Sequence, residues 1–312
     1  MNGTLRRYFF AIVFSFAAII PAGATHIVGG SLTYEHLGGS TYRILLKLYR
    51  DCSPASAPQI ALQNSQVIEI YNANGTFNSS VTLPRISLSF VPLNLDTCVA
   101  DPGICVQEGL YAGIVNNLPP VTGGYHMYFE TCCRNSSIVN LVNPLNAGEG
   151  FYCRISDNTL LLTNSSPQWV NFPPVFVCQG QPINFNHGAT DPDGDSLVYS
   201  FYRPLSDIDY LVANDLTFTA GVPNFAFVNY QAGFGFNNPL GGANLTISNG
   251  GLVDGIPANI GQYVVGVRCD EYRDGILIGS IYRDFQFNVV VCPPPALAGI
   301  GPVDGCAGSA IQ

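Results

Sequence analysis

Apolar and polar residues alternate strictly in several separate runs of this chain. From Thr41 to Arg50, Tyr42, Ile44, Leu46 and Leu48 alternate with Arg43, Lys47 and Tyr49, which predicts a strand with one buried face and one wet face. Ser31 to His36 precedes it across Gly38-Gly39, a hairpin signal. Val67 to Tyr71 and Thr76 to Leu83, joined through Asn74-Gly75, predict a second hairpin. Tyr125 to Cys133 reads as a further strand. Near the end, Tyr263, Val265, Val267 and Cys269 share a face, Asp274-Gly275 makes a turn, and Ile281 to Val291 returns. Leu245 to Ile247 and Gly250 to Leu252 suggest a shorter turn-bounded pair. Pro204 to Pro239 has weak periodicity and reads as short strands in a long loop. No stretch carries the period of an amphipathic helix.

Composition agrees with many short strands and turns. Only 11% of residues are charged, while Gly and Pro number 33 and 22, and 35 Tyr and Phe stand against 2 Met. Arg6 and Arg7, the apolar run Tyr8 to Ile20 and the small residues Ala22-Gly23-Ala24 form an expected signal peptide over residues 1–24. Its removal takes two positive charges from a formal net charge of −9, giving −11. Such an acidic chain is unsuited to binding nucleic acid by phosphate neutralisation, and no other segment reads as a transmembrane span. Ten cysteines in an exported chain imply disulfides. Cys98 and Cys105 bracket a loop that a local bridge could close. Cys132 and Cys133, adjacent on a strand, are expected to face opposite sides and take different partners, with Cys52 and Cys153 as candidates.

The candidate chemistry centres on Ala189 to Phe201, where Asp191, Asp193 and Asp195 fall at every second position before a strand bearing Leu197, Tyr199 and Phe201 on one face. Like charges so placed need a cation or donors among them, and hard oxygen ligands on a Pro/Gly turn suit structural calcium. A turn whose carboxylates cap backbone N–H groups is the other reading. Asp270 and Glu271 could converge with the first three as a second part of a metal site, or sit exposed beside Arg268 or Arg273. No G-x-S-x-G, H-E-x-x-H or phosphate-binding glycine loop occurs, so no catalytic residue and no enzyme activity is expected. His126 reads as a structural histidine. Trp169, Tyr202, Tyr210 and Tyr230 could stack on sugar rings or could be packing residues, with Trp169 as an interdomain plug.

The expected organisation is an all-β protein of tandem Ig-like/cadherin-like β-sandwiches, disulfide-stabilised. An N-terminal domain covers residues 25–165 and a second domain 166–292. A Pro/Gly linker follows over 293–305, and 306–312 is the start of a further domain cut short.

His26 to Gly30, Leu46 to Cys52 and Cys132 to Asn135 resemble the N-terminal region of large secreted surface proteins of gliding, Bacteroidota-type bacteria. Ala189 to Tyr199, Asn238 to Gly242, Gly261 to Val267 and Asp284 to Val290 extend that likeness. The second domain is similar to cadherin-like and Ig-like repeats of bacterial adhesins, and Cys306 to Gln312 to the opening of a PKD-type domain. The resemblance implies surface display by type IX secretion, adhesion or gliding, and an extracellular protein or polysaccharide ligand. It also implies calcium stiffening at a domain joint. A glycan-binding module attached to a larger secreted enzyme is the rival expectation.

Overall fold

The computed structural model describes residues 27–53, 61–93, 102–157, 163–206, 216–242 and 245–292. The expected signal peptide, the linker, the start of a further domain, Cys98 and Tyr210 lie outside these residues. Seven strands make the first half: β1 (Ile27–Gly38), β2 (Thr41–Asp51), β3 (Ser65–Asn72), β4 (Phe77–Phe90), β5 (Val106–Val115), β6 (Tyr125–Thr131) and β7 (Glu149–Ile155). The second half begins with β8 (Gln168–Trp169), β9 (Phe176–Cys178), β10 (Ile183–Asn186), β11 (Ala189–Thr190) and β12 (Ser196–Tyr202). Short pairs follow: β13 (Phe218–Thr219) with β14 (Val222–Pro223), and β15 (Thr246–Ile247) with β16 (Leu252–Gly255). Two long strands, β17 (Gly261–Arg273) and β18 (Ile276–Val290), close the second half. The fold is all-β, and its only described helical turn is a 3₁₀ segment at Pro144–Asn146.

The hairpins predicted around Gly38-Gly39, Asn74-Gly75 and Asp274-Gly275 are present as β1–β2, β3–β4 and β17–β18. Alternation on β2 holds as far as Leu48, with Tyr42, Ile44, Leu46 and Leu48 buried and Arg43 and Lys47 half-exposed, but Tyr49, expected on the wet face, is buried against Phe172. The weakly periodic segment is mostly loop, and Leu205, Leu216, Phe218 and Phe225 cover Tyr71, Tyr128 and Tyr152 on the outer face of β3, β6 and β7.

Strand pairing does not stop at the expected boundary between 165 and 166. The order β1-β2-β5-β4-β3-β6-β7-β18 returns to β1, so the last strand of the second half closes a ring built from the first. β18 meets β1 at Gly29↔Phe285 and Gly30↔Asp284, and meets β7 at Ile281↔Cys153. The approach to β1 requires glycine: Gly29 has φ +144°, and a Cβ there would collide with the Asp284 carbonyl. From β18 the sheet continues through β17 to β12, while β9 joins β18 in parallel. The three-stranded sheet β10-β16-β15 packs across this wing, with Ile183, Val253 and Leu245 in one core with Val265, Phe285, Phe287, Leu32 and Ile44. Residues 164–169, at the expected boundary, are largely buried, and Trp169, expected as an interdomain plug, belongs to that core.

A buried ion cluster crosses the same junction. Arg134, just after β6, pairs with Asp284 on β18 and with Glu149 on β7 at 3.3 Å. Its remaining donors reach the carbonyls of Gly148 (2.9 Å) and Leu205 (3.0 Å). None of the three side chains is more than 1% exposed.

The cysteines pair differently from expectation. Cys52 bonds Cys105, Cys178 bonds Cys292, and Cys132 bonds its neighbour Cys133. The expectation of separate partners for Cys132 and Cys133 assumed strand geometry, but β6 ends at Thr131 and the pair lies beyond it. Cys153 and Cys269 are buried thiols flanking Ile281 on either side of β18.

Candidate functional site

The acidic turn connects β11 to β12 at the edge of the wing. Gly194, at φ +85°, breaks the extended backbone, so the alternate carboxylates do not share one side. Asp191 Oδ1 accepts from the backbone N–H groups of Asp193 and Asp195, both at 2.9 Å. Asp193 turns away, and its Oδ2 accepts from Ser165 N–H at 2.7 Å. Asp195 is gripped from both sides: Arg273 donates from Nε (2.7 Å) and Nη2 (2.5 Å) to its two oxygens. The Nη2 of Arg273 also reaches Asn164 Oδ1 at 2.8 Å.

Asp270 and Glu271 part company because neighbours on a strand point to opposite faces. Asp270 pairs with Arg268 at 2.6 Å and accepts from Ser280 Oγ. Glu271 shares parity with Val267 and Cys269 and is buried inward. The ligand oxygens of Asp191, Asp195 and Glu271 lie within 4.8 Å of one another. Of the five residues expected to hold a metal, the fold therefore gathers three and directs Asp193 and Asp270 to other partners.

Electrostatics at the cluster follow from water access. Burial pushes Glu271 up to about 8, and the nearby carboxylates of Asp191 and Asp195 add to the rise. Asp191 is also raised by burial, against the two backbone N–H groups that favour its charge. Asp195 is held below the usual carboxylate range, first by the Arg273 hydrogen bonds. Two buried oxygens, Asp191 Oδ2 and Glu271 Oε1, have no hydrogen-bond partner. With Glu271 holding its proton, Asp191 and Asp195 against one guanidinium leave one negative charge, and a divalent cation that displaced that proton would meet two. The donor set is all oxygen, as calcium and magnesium require.

The turn is also a latch. Asn164 Nδ2 donates to Tyr34 Oη at 3.0 Å, Ser166 N–H to Tyr34 O at 3.0 Å, and His36 N–H to Ser165 Oγ at 3.1 Å. Through Asp193, Arg273 and Asn164 the acidic turn thus fastens the crossover between the two halves onto β1. Sequence reasoning missed Asn164 and Ser165, which carry no signal beyond a turn-rich composition.

Other candidate residues are packed. His126 is 5% exposed, 2.7 Å from Tyr152 Oη, and burial lowers it to about 4. Trp169 is buried with the Arg283 guanidinium 4.5 Å from its ring centre, Tyr202 is buried, and Tyr230 is half-buried. Burial leaves Trp169 and Tyr202 little surface for stacking on a sugar, and Tyr230 packs against Ile138, Leu141, Val228 and Val264. Among the described residues no helix is long and apolar enough to cross a membrane. Compared with known proteins, the chain matches no family model, no curated protein and no solved structure.

Proposed function

We propose that the chain is a non-catalytic, exported interaction protein, the N-terminal part of a multi-domain surface adhesin. In this reading the Asp191–Asp195–Glu271 cluster takes a calcium ion that stiffens the junction between its halves. The observation that carries the metal is the pair of orphaned buried oxygens, Asp191 Oδ2 and Glu271 Oε1, in a cluster whose three carboxylates outnumber its one guanidinium. Its position gives the ion a mechanical role, because the same turn latches residues 164–166 to β1. The exported setting is supported by the N-terminal signal pattern and by three cysteine pairs. The adhesin assignment, with an extracellular protein or polysaccharide as ligand, rests on the resemblance to surface proteins of gliding bacteria.

Thermal unfolding of the full chain under oxidising conditions, with millimolar calcium and then with chelator, tests the metal. A ligand bound only by the folded state at a hundredfold its Kd adds about 2.7 kcal/mol. A rise in midpoint is expected, lost in Asp191→Asn and Glu271→Gln and retained in Asp193→Ala, whose carboxylate serves Ser165 instead. No rise, or a rise that survives both cluster substitutions, overturns the assignment.

A further inference from the structure

Among the described residues β10 has no strand partner on its outer edge, and the register gives the reason. β10 pairs β16 with Ile183↔Gly255 through Asn186↔Leu252, and His187 N–H continues the ladder to Gly251 O at 2.8 Å. In an antiparallel pair, residues that bond across alternate with residues whose N–H and C=O point away. His187 fixes the parity, so Ile183 and Phe185 face β16 while the main chains of Asn184 and Asn186 point outward. Gly188, of the same parity, accepts from Val170 N–H at 3.1 Å, and β8 pairs β11 as Ala189↔Trp169 and Thr190↔Gln168. Continued without a shift, that register would set Phe172 opposite Asn186 and Pro174 opposite Asn184. Pro174 has no N–H to give, and Pro173-Pro174 resists continuing a ladder. The chain leaves instead and pairs as β9 with β18.

The departure opens a groove of about 670 Å³ between the diverted segment and β10. Phe172, Pro174, Phe176, Pro182, Phe185 and Leu93 line it, and no charged residue does. Among the described residues, no main-chain hydrogen bond reaches Asn184 or Asn186 from this side. An unpaired edge beside an apolar trough is how extended peptides are recognised: main-chain bonds hold the strand and alternate side chains enter the trough.

We propose that β10 and this groove bind an extended, uncharged segment of a partner polypeptide, added as a further strand on Asn184 and Asn186. The chargeless lining selects against Asp, Glu, Lys and Arg at the inward positions, since a charge there would lose its water without a partner. The site goes beyond the proposed adhesin role and is independent of the acidic cluster, so failure of the calcium test leaves it standing.

The test uses the full chain and a capped peptide of alternating Thr and Val, seven residues long, read by amide exchange and peptide titration. Exchange at Asn184 and Asn186 is expected to slow at least tenfold with saturating peptide. A fully N-methylated analogue should have no effect. Val170→Glu, which puts a charge on an exposed groove position, should weaken binding at least tenfold with an unchanged melting profile. Unprotected amides, or equal binding of the methylated analogue, overturn the proposal. So does protection of both amides without peptide: if independent of protein concentration, the chain's own remaining residues occupy the edge, and if it grows with concentration, a second copy does.

Discussion

Two clusters in this protein gather carboxylates around a single arginine, and they differ in their access to water. Arg134, Glu149 and Asp284 are sealed between β6, β7 and β18, whereas Arg273 beside Asp195 keeps a quarter of its side chain exposed. Charge surplus is handled differently as a result. In the sealed cluster two carboxylates face one guanidinium, and burial pushes Glu149 up to about 8, against the pull of Arg134 and with the help of Asp284. A proton on Glu149 then removes the surplus charge. The acidic turn carries one more carboxylate and an opening to solvent, so its surplus can also be met from outside. The same residue types make a permanent internal tie in one place and a site open to a cation in the other.

The largest expected effect breaks the sealed cluster. Arg134→Met removes the one cation and leaves Glu149 and Asp284 without a partner, a change that costs about 3–5 kcal/mol in comparable buried pairs. Urea unfolding with disulfides intact should show that loss, since Asp284 and Glu149 hold Arg134 charged in spite of its burial. A loss below about 1 kcal/mol would mean that both carboxyls simply take protons. The cluster would then not be the tie between the halves that its geometry suggests.

The second effect is in pH. Glu149 is protonated in the folded chain up to about 8 but ionises near the ordinary carboxylate value once unfolded. The folded state therefore holds the extra proton, and stability falls as pH rises through this window, by up to about 1.4 kcal/mol per pH unit for one proton. His126 and His187, both lowered by burial, slope the other way but only below the ordinary histidine value, which leaves pH 6.5 to 8 clear of them. Besides Arg134 and Asp284, the phenols of Tyr202 and Tyr230 interact with this cluster, and both are raised by burial beyond the window. Glu149→Gln, which imitates the protonated form, should remove Glu149's share of the slope between pH 6.5 and 8 and leave that of Glu271, which burial also raises to about 8. Equal slopes would show that Glu149 is ionised in the folded state.

These two clusters were not equally legible. Hairpins were, because alternation and Asn-Gly or Asp-Gly turns are local properties of the sequence. The acidic turn was visible for the same reason, and the burial of Glu271 could have been read from its parity with Val267 and Cys269. What alternation does not specify is a strand's partner. It places Ile281 and Phe285 on one face of a strand but does not say that β18 pairs with β1 and β7, more than a hundred residues away. Without that pairing, a boundary between 165 and 166, close to Pro167, Pro173 and Pro174, is the natural division, and Arg134 beside two cysteines gives no sign of meeting Asp284. The Asp193 geometry was lost for a smaller reason. Alternation of side chains holds for extended backbone, and Gly194 takes the turn out of that geometry.

The smallest effect sharpens the comparison at the solvent-accessible cluster. Arg273→Ala removes a bidentate partner from Asp195 and a contact from Asn164, and charged hydrogen bonds of this kind contribute about 1.5–3 kcal/mol when shielded. Because the Arg273 side chain is a quarter exposed, the expected loss lies near the lower end of that range. The substitution also removes the one positive charge among the three carboxylates. Calcium should therefore raise the midpoint more in Arg273→Ala than in the parent chain, and recover much of the stability lost without it. Arg134→Met should gain nothing from calcium beyond the parent's shift, since its two carboxylates are at most 1% exposed. If calcium left Arg273→Ala no more stabilised than the parent, Arg273 would not be opposing a cation. The acidic turn would then be a latch of the same kind as the sealed cluster, differing only in how much water surrounds it.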